Sequence, residues 1–98
     1  MTAMTFNPGT VVWKYILDLD DSSETVLTFN EGSILHVDVQ NGGFCAWVAV
    51  TNQRAHIERR VVIRGTGDPL PEGRQLTYLN TMFSGPFVFH AFVGMADR

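Results

Sequence analysis

Apolar and polar residues alternate with a period of two through most of this chain, and glycine, proline and asparagine interrupt the alternation at short intervals. This pattern is typical of β-strands joined by turns. It predicts strands over 10–17, 24–29, 58–64, 76–83 and 87–93 and a hairpin over 33–50. No segment has a helical period. The sequence therefore predicts a single all-β domain over 1–98, a small antiparallel sandwich or partly open barrel of about seven short strands.

The hairpin over 33–50 has the clearest pattern because Asn41-Gly42 separates its two strands. This dipeptide favours a type I′ turn, in which both central residues need positive φ. A two-residue loop places Val39 opposite Phe44 on an apolar face. Continued along both strands, the same register predicts these pairs: Val37 with Ala46, Leu35 with Val48, Asp38 with Cys45, His36 with Trp47 and Ile34 with Ala49.

Composition narrows the classes of function. Seven basic and ten acidic residues give a net charge of −3, which argues against a nucleic-acid partner because no strongly basic face is available. Cys45 is the only cysteine, so an intramolecular disulfide is impossible and a reducing compartment is favoured. The first residues do not resemble a signal peptide, and no apolar run reaches membrane length. We therefore expect a cytoplasmic protein that does not contact a membrane.

Three segments of the chain resemble a small uncharacterised all-β family. They are Leu35–Gly42 together with Cys45–Trp47, Gly65–Pro69, and Gly85–Phe92. The family occurs in tailed phages and in bacteria that carry prophages, and the resemblance covers roughly residues 12–93. It implies a phage or prophage setting, with the host cell cytoplasm as the location. It transfers no catalytic residues, because none are established for the family.

One face of the predicted hairpin carries His36, Asp38, Cys45 and Trp47. A cluster of cysteine, histidine and aspartate could activate a thiolate for nucleophilic chemistry. We favour a structural interpretation, in which His36 stacks on Trp47 and Cys45 packs as a small apolar residue.

A metal site could also be assembled from His36, Cys45 and His90. Zinc sites built from local motifs have paired ligands at short spacing, and this chain has no such pair. His90 lies between Val88 and Phe92, which favours a hydrogen-bonded core histidine. We therefore expect neither a metal nor a cofactor.

The acidic segment over 18–24 offers the oxygen ligands that calcium prefers, but it lacks the glycine and the final glutamate of an EF-hand loop. A solvated hairpin loop is the favoured interpretation. A candidate anion site combines Arg60 and Arg64, which share a strand face, with the loop that follows them. The loop residues in this candidate site are Gly65, Thr66, Gly67 and Asp68. Because no Gly-Lys-Ser/Thr sequence or helix follows, a plain turn and a solvated strand face are the simpler interpretation.

No set of nucleophile, base and orienting group emerges, so the sequence favours a protein that is not an enzyme. We expect an accessory protein that binds another macromolecule, for example as a host-directed inhibitor. Two alternatives stay open. One is a module that binds or sequesters a nucleotide-like anion through Arg60, Arg64 and the 65–69 loop. The other is a minor virion or decoration component.

Apolar residues on the second faces of several strands predict a homo-oligomer, most simply a dimer. We expect an apolar patch centred on Trp47 that also includes Val12, Ile16, Ile34, Ala49 and Val62. Its polar rim is expected to contain Asp38, Gln40, Arg60 and Arg64. On the hairpin face that carries Trp47, we single out His36 and Trp47 as candidate binding residues.

Overall fold

The structure, a computed structural model, describes residues 3–51 and 55–96. It contains seven strands: β1 (Val11–Ile16), β2 (Glu24–Asn30), β3 (Gly32–Gln40), β4 (Gly43–Val50), β5 (His56–Gly65), β6 (Thr77–Ser84) and β7 (Phe87–Met95). Every strand pair is antiparallel. Within the described ranges no helix is long and apolar enough to cross a membrane. The predicted all-β fold is confirmed.

The strands form two sheets, in the orders β1-β4-β3 and β2-β5-β7-β6. No backbone ladder joins the sheets within the described residues, so the fold is an open sandwich and not a barrel. Alternate strand residues point between the sheets, and the buried ones form the core. The buried core residues are Leu17, Leu27, Phe29, Val37, Ala46, Val48, Val50, Val61, Ile63, Met82 and Ala91. Because β1 and β2 lie in different sheets, the segment over 17–23 crosses from one sheet to the other and does not close the hairpin that the sequence suggested.

The turn between β3 and β4 has the conformation that its sequence predicts. Asn41 and Gly42 have φ of 54° and 81°, the positive values that a type I′ turn needs. Val39 pairs with Phe44, as predicted. The register near the turn is therefore correct, and it extends through the pair His36 and Trp47.

Beyond His36 the predicted register is wrong by one residue. The pairing shifts between Ile34 and His36, so that Ile34 pairs with Val48 and Ser33 pairs with Ala49. The predicted pairs Leu35 with Val48 and Ile34 with Ala49 do not form. Leu35 is the extra residue of a β-bulge, and such a bulge exchanges the two faces of the strand beyond it. Ile34 consequently packs against the core and does not lie on the outer face.

A second irregularity lies across from this bulge, in β6, where the pairing with β7 shifts between Tyr78 and Asn80. The Asn80 side chain bonds both backbone groups of Val37. Its Nδ2 donates to the Val37 carbonyl at 2.7 Å, and its Oδ1 accepts from the Val37 N–H at 3.0 Å. One amide thus links the edge of β3 to the other sheet. No side chain of residues 3–51 or 55–96 bonds the backbone of the opposite edge of the three-stranded sheet, at β1, in this way.

Candidate functional site

Strand β1 pairs with β4 on one side only and is an edge of its sheet. Leu17 N donates to Phe44 O at 2.9 Å, one step beyond the end of the strand. Hydrogen-bonded pairs recur at every second residue of an antiparallel ladder, so the odd-numbered residues of β1 bond β4. Val12, Lys14 and Ile16 direct their N–H and C=O groups away from the sheet. No group in the described part of the chain bonds them there. We call this row of backbone groups, with its side chains, the β1 edge (Val11–Ile16).

Large apolar side chains are exposed on both faces of the β1 edge. Val11, Val12, Trp13 and Ile16 are 50 %, 57 %, 59 % and 77 % exposed. Natural edge strands are commonly protected by charge, above all by lysine, and Lys14 is the only charged residue here. Its Nζ lies 2.6 Å from Gln40 Oε1, on β3 beyond the intervening β4. The ammonium group is therefore drawn back over the sheet, and the edge stays accessible.

The outer face of the three-stranded sheet continues from the β1 edge toward β3. Trp47 lies between Lys14 and His36 in the ladder and is half-buried. The His36 and Trp47 rings are tilted by 48° with centroids 6.3 Å apart, and His36 Nε2 lies 3.7 Å from Asp38 Oδ2. Val12 and Ile16 share this face. The structure thus joins an exposed edge to an aromatic outer face.

Cys45 lies on the same outer face, between Ile16 and Asp38, and is only 4 % exposed. A thiol must reach solvent to react, so we expect the native protein to be labelled slowly by a thiol reagent at neutral pH. The unfolded chain in urea provides the control and should be labelled at the rate of a free thiol. Native labelling as fast as that of the unfolded chain would contradict the buried position.

The sequence candidates Arg60 and Arg64 lie on the outer face of the four-stranded sheet and bind an internal carboxylate. Glu24, with a side chain 8 % exposed, accepts two hydrogen bonds from Arg74 at 2.9 and 2.7 Å. Arg64 Nη2 donates to it at 3.2 Å, and Arg60 Nη1 lies 3.5 Å away. The hydrogen bond from Arg74 lowers the pKa of Glu24 below its ordinary value, although burial acts in the opposite direction. The guanidinium groups thus form a cluster around one buried carboxylate.

Sequence reasoning missed Glu24 and Arg74. Alternation does place Glu24 outward, but the sequence gives no sign that β2 pairs with β5 and so brings this carboxylate beside Arg60 and Arg64. Arg74 comes from an irregular connection 50 residues away from Glu24 along the chain. The only available signal is an acidic residue that opens a strand at the end of an acidic segment.

The loop after β5 is held by bonds within itself. Gly65 N donates to Asp68 Oδ2 at 3.2 Å, and Arg64 Nε donates to Pro69 O at 3.0 Å. Gly67 has φ of 95°, which accounts for the glycine as the requirement of a turn. The structure therefore brings Arg64 and this loop together. The Asp68 carboxylate accepts from the Gly65 amide, which is a donor that a bound anion would need.

His90 is hydrogen-bonded through both ring nitrogens, as the sequence suggested, but it is half-buried on the outer face of the four-stranded sheet and not in the core. Its Nε2 lies 2.8 Å from Thr66 Oγ1 and its Nδ1 lies 2.9 Å from Thr81 Oγ1. His36 and Cys45 lie on the other sheet, so these three residues do not converge. Among the described residues no group of three or more His, Cys, Asp or Glu could hold a metal ion.

The predicted apolar patch is divided between two sheets and is in that respect wrong. Val62, Arg60 and Arg64 face outward from β5, whereas Trp47 faces outward from β4 in the other sheet. Val62 is also fully buried. The connection over 66–76 reaches this side of the sheet, since Arg74 binds Glu24, the strand partner of Val62. A Cβ at Gly94, beside Arg60, would lie 2.9 Å from Gln75 O, which shows how closely that connection packs. With Ile34 in the core and Ala49 buried, the remaining outer patch consists of Val12, Ile16 and Trp47.

Comparisons with known proteins give a family and no function. No curated protein and no solved structure matches this chain. A family model described as a domain of unknown function (DUF7352) matches residues 8–98. This match covers nearly the whole chain, and the protein therefore belongs to the DUF7352 family.

Proposed function

We propose that this protein is a non-catalytic binding domain that acts by binding another protein through the β1 edge and the adjoining Trp47 face. The observation that carries the proposal is the row of outward N–H and C=O groups at Val12, Lys14 and Ile16, flanked by exposed apolar side chains. An extended segment can add a strand to such an edge. Main-chain hydrogen bonds then supply affinity, and alternate side chains supply specificity.

A second copy of the chain fits the same edge. Antiparallel self-pairing about a two-fold axis perpendicular to the sheet keeps the two outer faces aligned. The axis then passes beside Trp13 or beside Lys14, the central residues of the strand. An axis beside Lys14 would place the two lysine charges opposite each other, and an axis beside Trp13 avoids this. It places the two exposed Trp13 rings at a non-hydrogen-bonded pair, where side chains approach most closely. Val12 then exchanges main-chain hydrogen bonds with Lys14 of the second copy.

We also propose that the protein works in a phage or prophage setting, in the cytoplasm of the host cell. The resemblance of the segments over 35–42, 65–69 and 85–92 supports that setting. A single buried thiol, Cys45, supports a reducing compartment. Arg64 donates a hydrogen bond to Glu24 and Arg60 forms an ion pair with it, and for this reason we place protein binding ahead of an anion-binding role for them.

The double variant Val12→Lys/Ile16→Lys tests the β1 edge. Both positions are more than half exposed, so the change should not disturb the core, while two added charges oppose strand addition. The control is Val26→Lys, which changes a valine 40 % exposed on β2, an edge strand of the other sheet. We expect sedimentation equilibrium to show masses rising toward two chains at micromolar concentration for the wild type and the control, and one chain for the double variant.

Two results would count against a second copy paired at the β1 edge. A wild-type mass of one chain at every concentration would remove the second copy as an occupant. A dimer that survives in the double variant would place the interface away from the β1 edge.

A further inference from the structure

The two sheets part at one end of the sandwich and leave a cleft of about 410 Å³. Apolar side chains of both sheets line it, among them Phe29, Ile34, Leu79 and Val93. The cleft has the size of a small-molecule pocket, and such pockets combine apolar walls with a few polar groups. Its lining includes no residue of the β1 edge, so it is a separate feature of the molecule.

Arg59 supplies a cation to this cleft. It pairs with Leu27 and Met95 and so points to the inner side of the four-stranded sheet, near its end. Its Nη1 donates to Glu58 O at 2.8 Å. In the described ranges no carboxylate lies within 4.0 Å of its guanidinium, whereas the guanidinium groups of Arg60, Arg64 and Arg74 all meet Glu24. A half-buried positive charge in this cleft thus has no acidic partner among the residues that the structure describes.

We propose that this cleft binds a small amphipathic anion, with a carboxylate or sulfonate group on Arg59 and an apolar body between Ile34 and Leu79. A charge-assisted hydrogen bond to a guanidinium is roughly twice as strong as a neutral one. A bare inorganic anion would leave the apolar walls in water. A neutral hydrocarbon would leave Arg59 without a counter-charge. The chemistry of the cleft therefore requires both properties in one ligand.

Fluorescence titration with anilinonaphthalene sulfonate tests the proposal, with decanoate and decanol as competitors. We expect saturable binding to the wild type, displacement by decanoate and little displacement by decanol. Arg59→Gln should weaken binding about tenfold or more, the loss of one charge-assisted hydrogen bond, and Arg59→Lys should retain most of it. Thr77→Trp, at an exposed position on the rim of the cleft, should block binding by filling the space.

Unfolding midpoints of each variant separate loss of binding from loss of folding. Amide chemical shifts recorded during the titration should change at Ile34, Leu79 and Val93. Equal affinity in the wild type and Arg59→Gln, absence of any binding, or shift changes confined to the β1 edge would each overturn the proposal. Because the double variant Val12→Lys/Ile16→Lys leaves the cleft intact, it should bind the probe as the wild type does.

Discussion

Glu24→Gln is expected to lower the free energy of unfolding by about 3 kcal/mol at neutral pH, because it removes one partner of a buried charge cluster. Arg60, Arg64 and Arg74 would then lose the one carboxylate on which all three converge, although each is no more than 24 % exposed. Urea denaturation measures the change. The control is Glu58→Gln on the exposed part of β5, for which we expect a change within about 0.5 kcal/mol.

The pH dependence of the unfolding free energy of wild type and Glu24→Gln tests whether the charge of Glu24 causes this loss. The pKa of Glu24 in the folded state is lowered from its ordinary value of 4.5, first by the hydrogen bond from Arg74. The charged form therefore stabilises the fold above the unfolded-state pKa, and this contribution is lost as the pH falls through the folded-state pKa. We expect the stability difference between wild type and Glu24→Gln to shrink below about pH 4.5. A stability difference that stays constant from neutral pH down to about pH 3 would contradict the electrostatic origin, because pH 3 lies about a unit or more below the ordinary pKa of a glutamate.

Gly32→Ala is expected to destabilise the fold by about 3 kcal/mol or more. Its comparison with a second glycine distinguishes a steric clash at Gly32 from the general effect of replacing a glycine in a strand. A Cβ at Gly32 would overlap the carbonyl oxygen of Ala49, a backbone atom that no rotamer change can move. Gly43→Ala is the matched control, because a Cβ at that position meets nothing within 4 Å. Urea denaturation of the two variants should give a large loss for Gly32→Ala and a change near zero for Gly43→Ala. Equal losses would show that the approach of Ala49 is not the constraint.

The parts of the fold that the sequence could predict are local. The strands and the Asn41-Gly42 turn follow from a period of two and from the φ values that a type I′ turn requires, and both depend only on neighbouring residues. The bulge at Leu35 was not predictable in this way. It accompanies the hydrogen bonds between Val37 and Asn80, which are 43 positions apart in the sequence.

The candidate sites show the same limit. Alternation predicts the correct strand face for Trp47, Arg60 and Arg64 but not for Ile34, which lies beyond the bulge. The sequence also does not say which strands share a sheet, and for this reason it groups Trp47 and Arg60 in one patch. The sequence also gives no sign that Val62 is buried, or that the connection over 66–76 reaches this side of the sheet through the contact of Arg74 with Glu24. Periodicity predicts which way a side chain points. It does not predict what lies opposite.

Amide hydrogen exchange along β1 tests strand addition most directly. The N–H groups of Trp13 and Tyr15 bond β4 and should be protected at every protein concentration, which makes them internal controls. The outward N–H groups of Val12 and Lys14 should exchange fast in dilute protein and slowly at high concentration, as a second copy pairs with the edge. If Val12 and Lys14 exchange fast even where the measured mass is that of two chains, the copies do not pair through β1, and the proposed binding edge is contradicted.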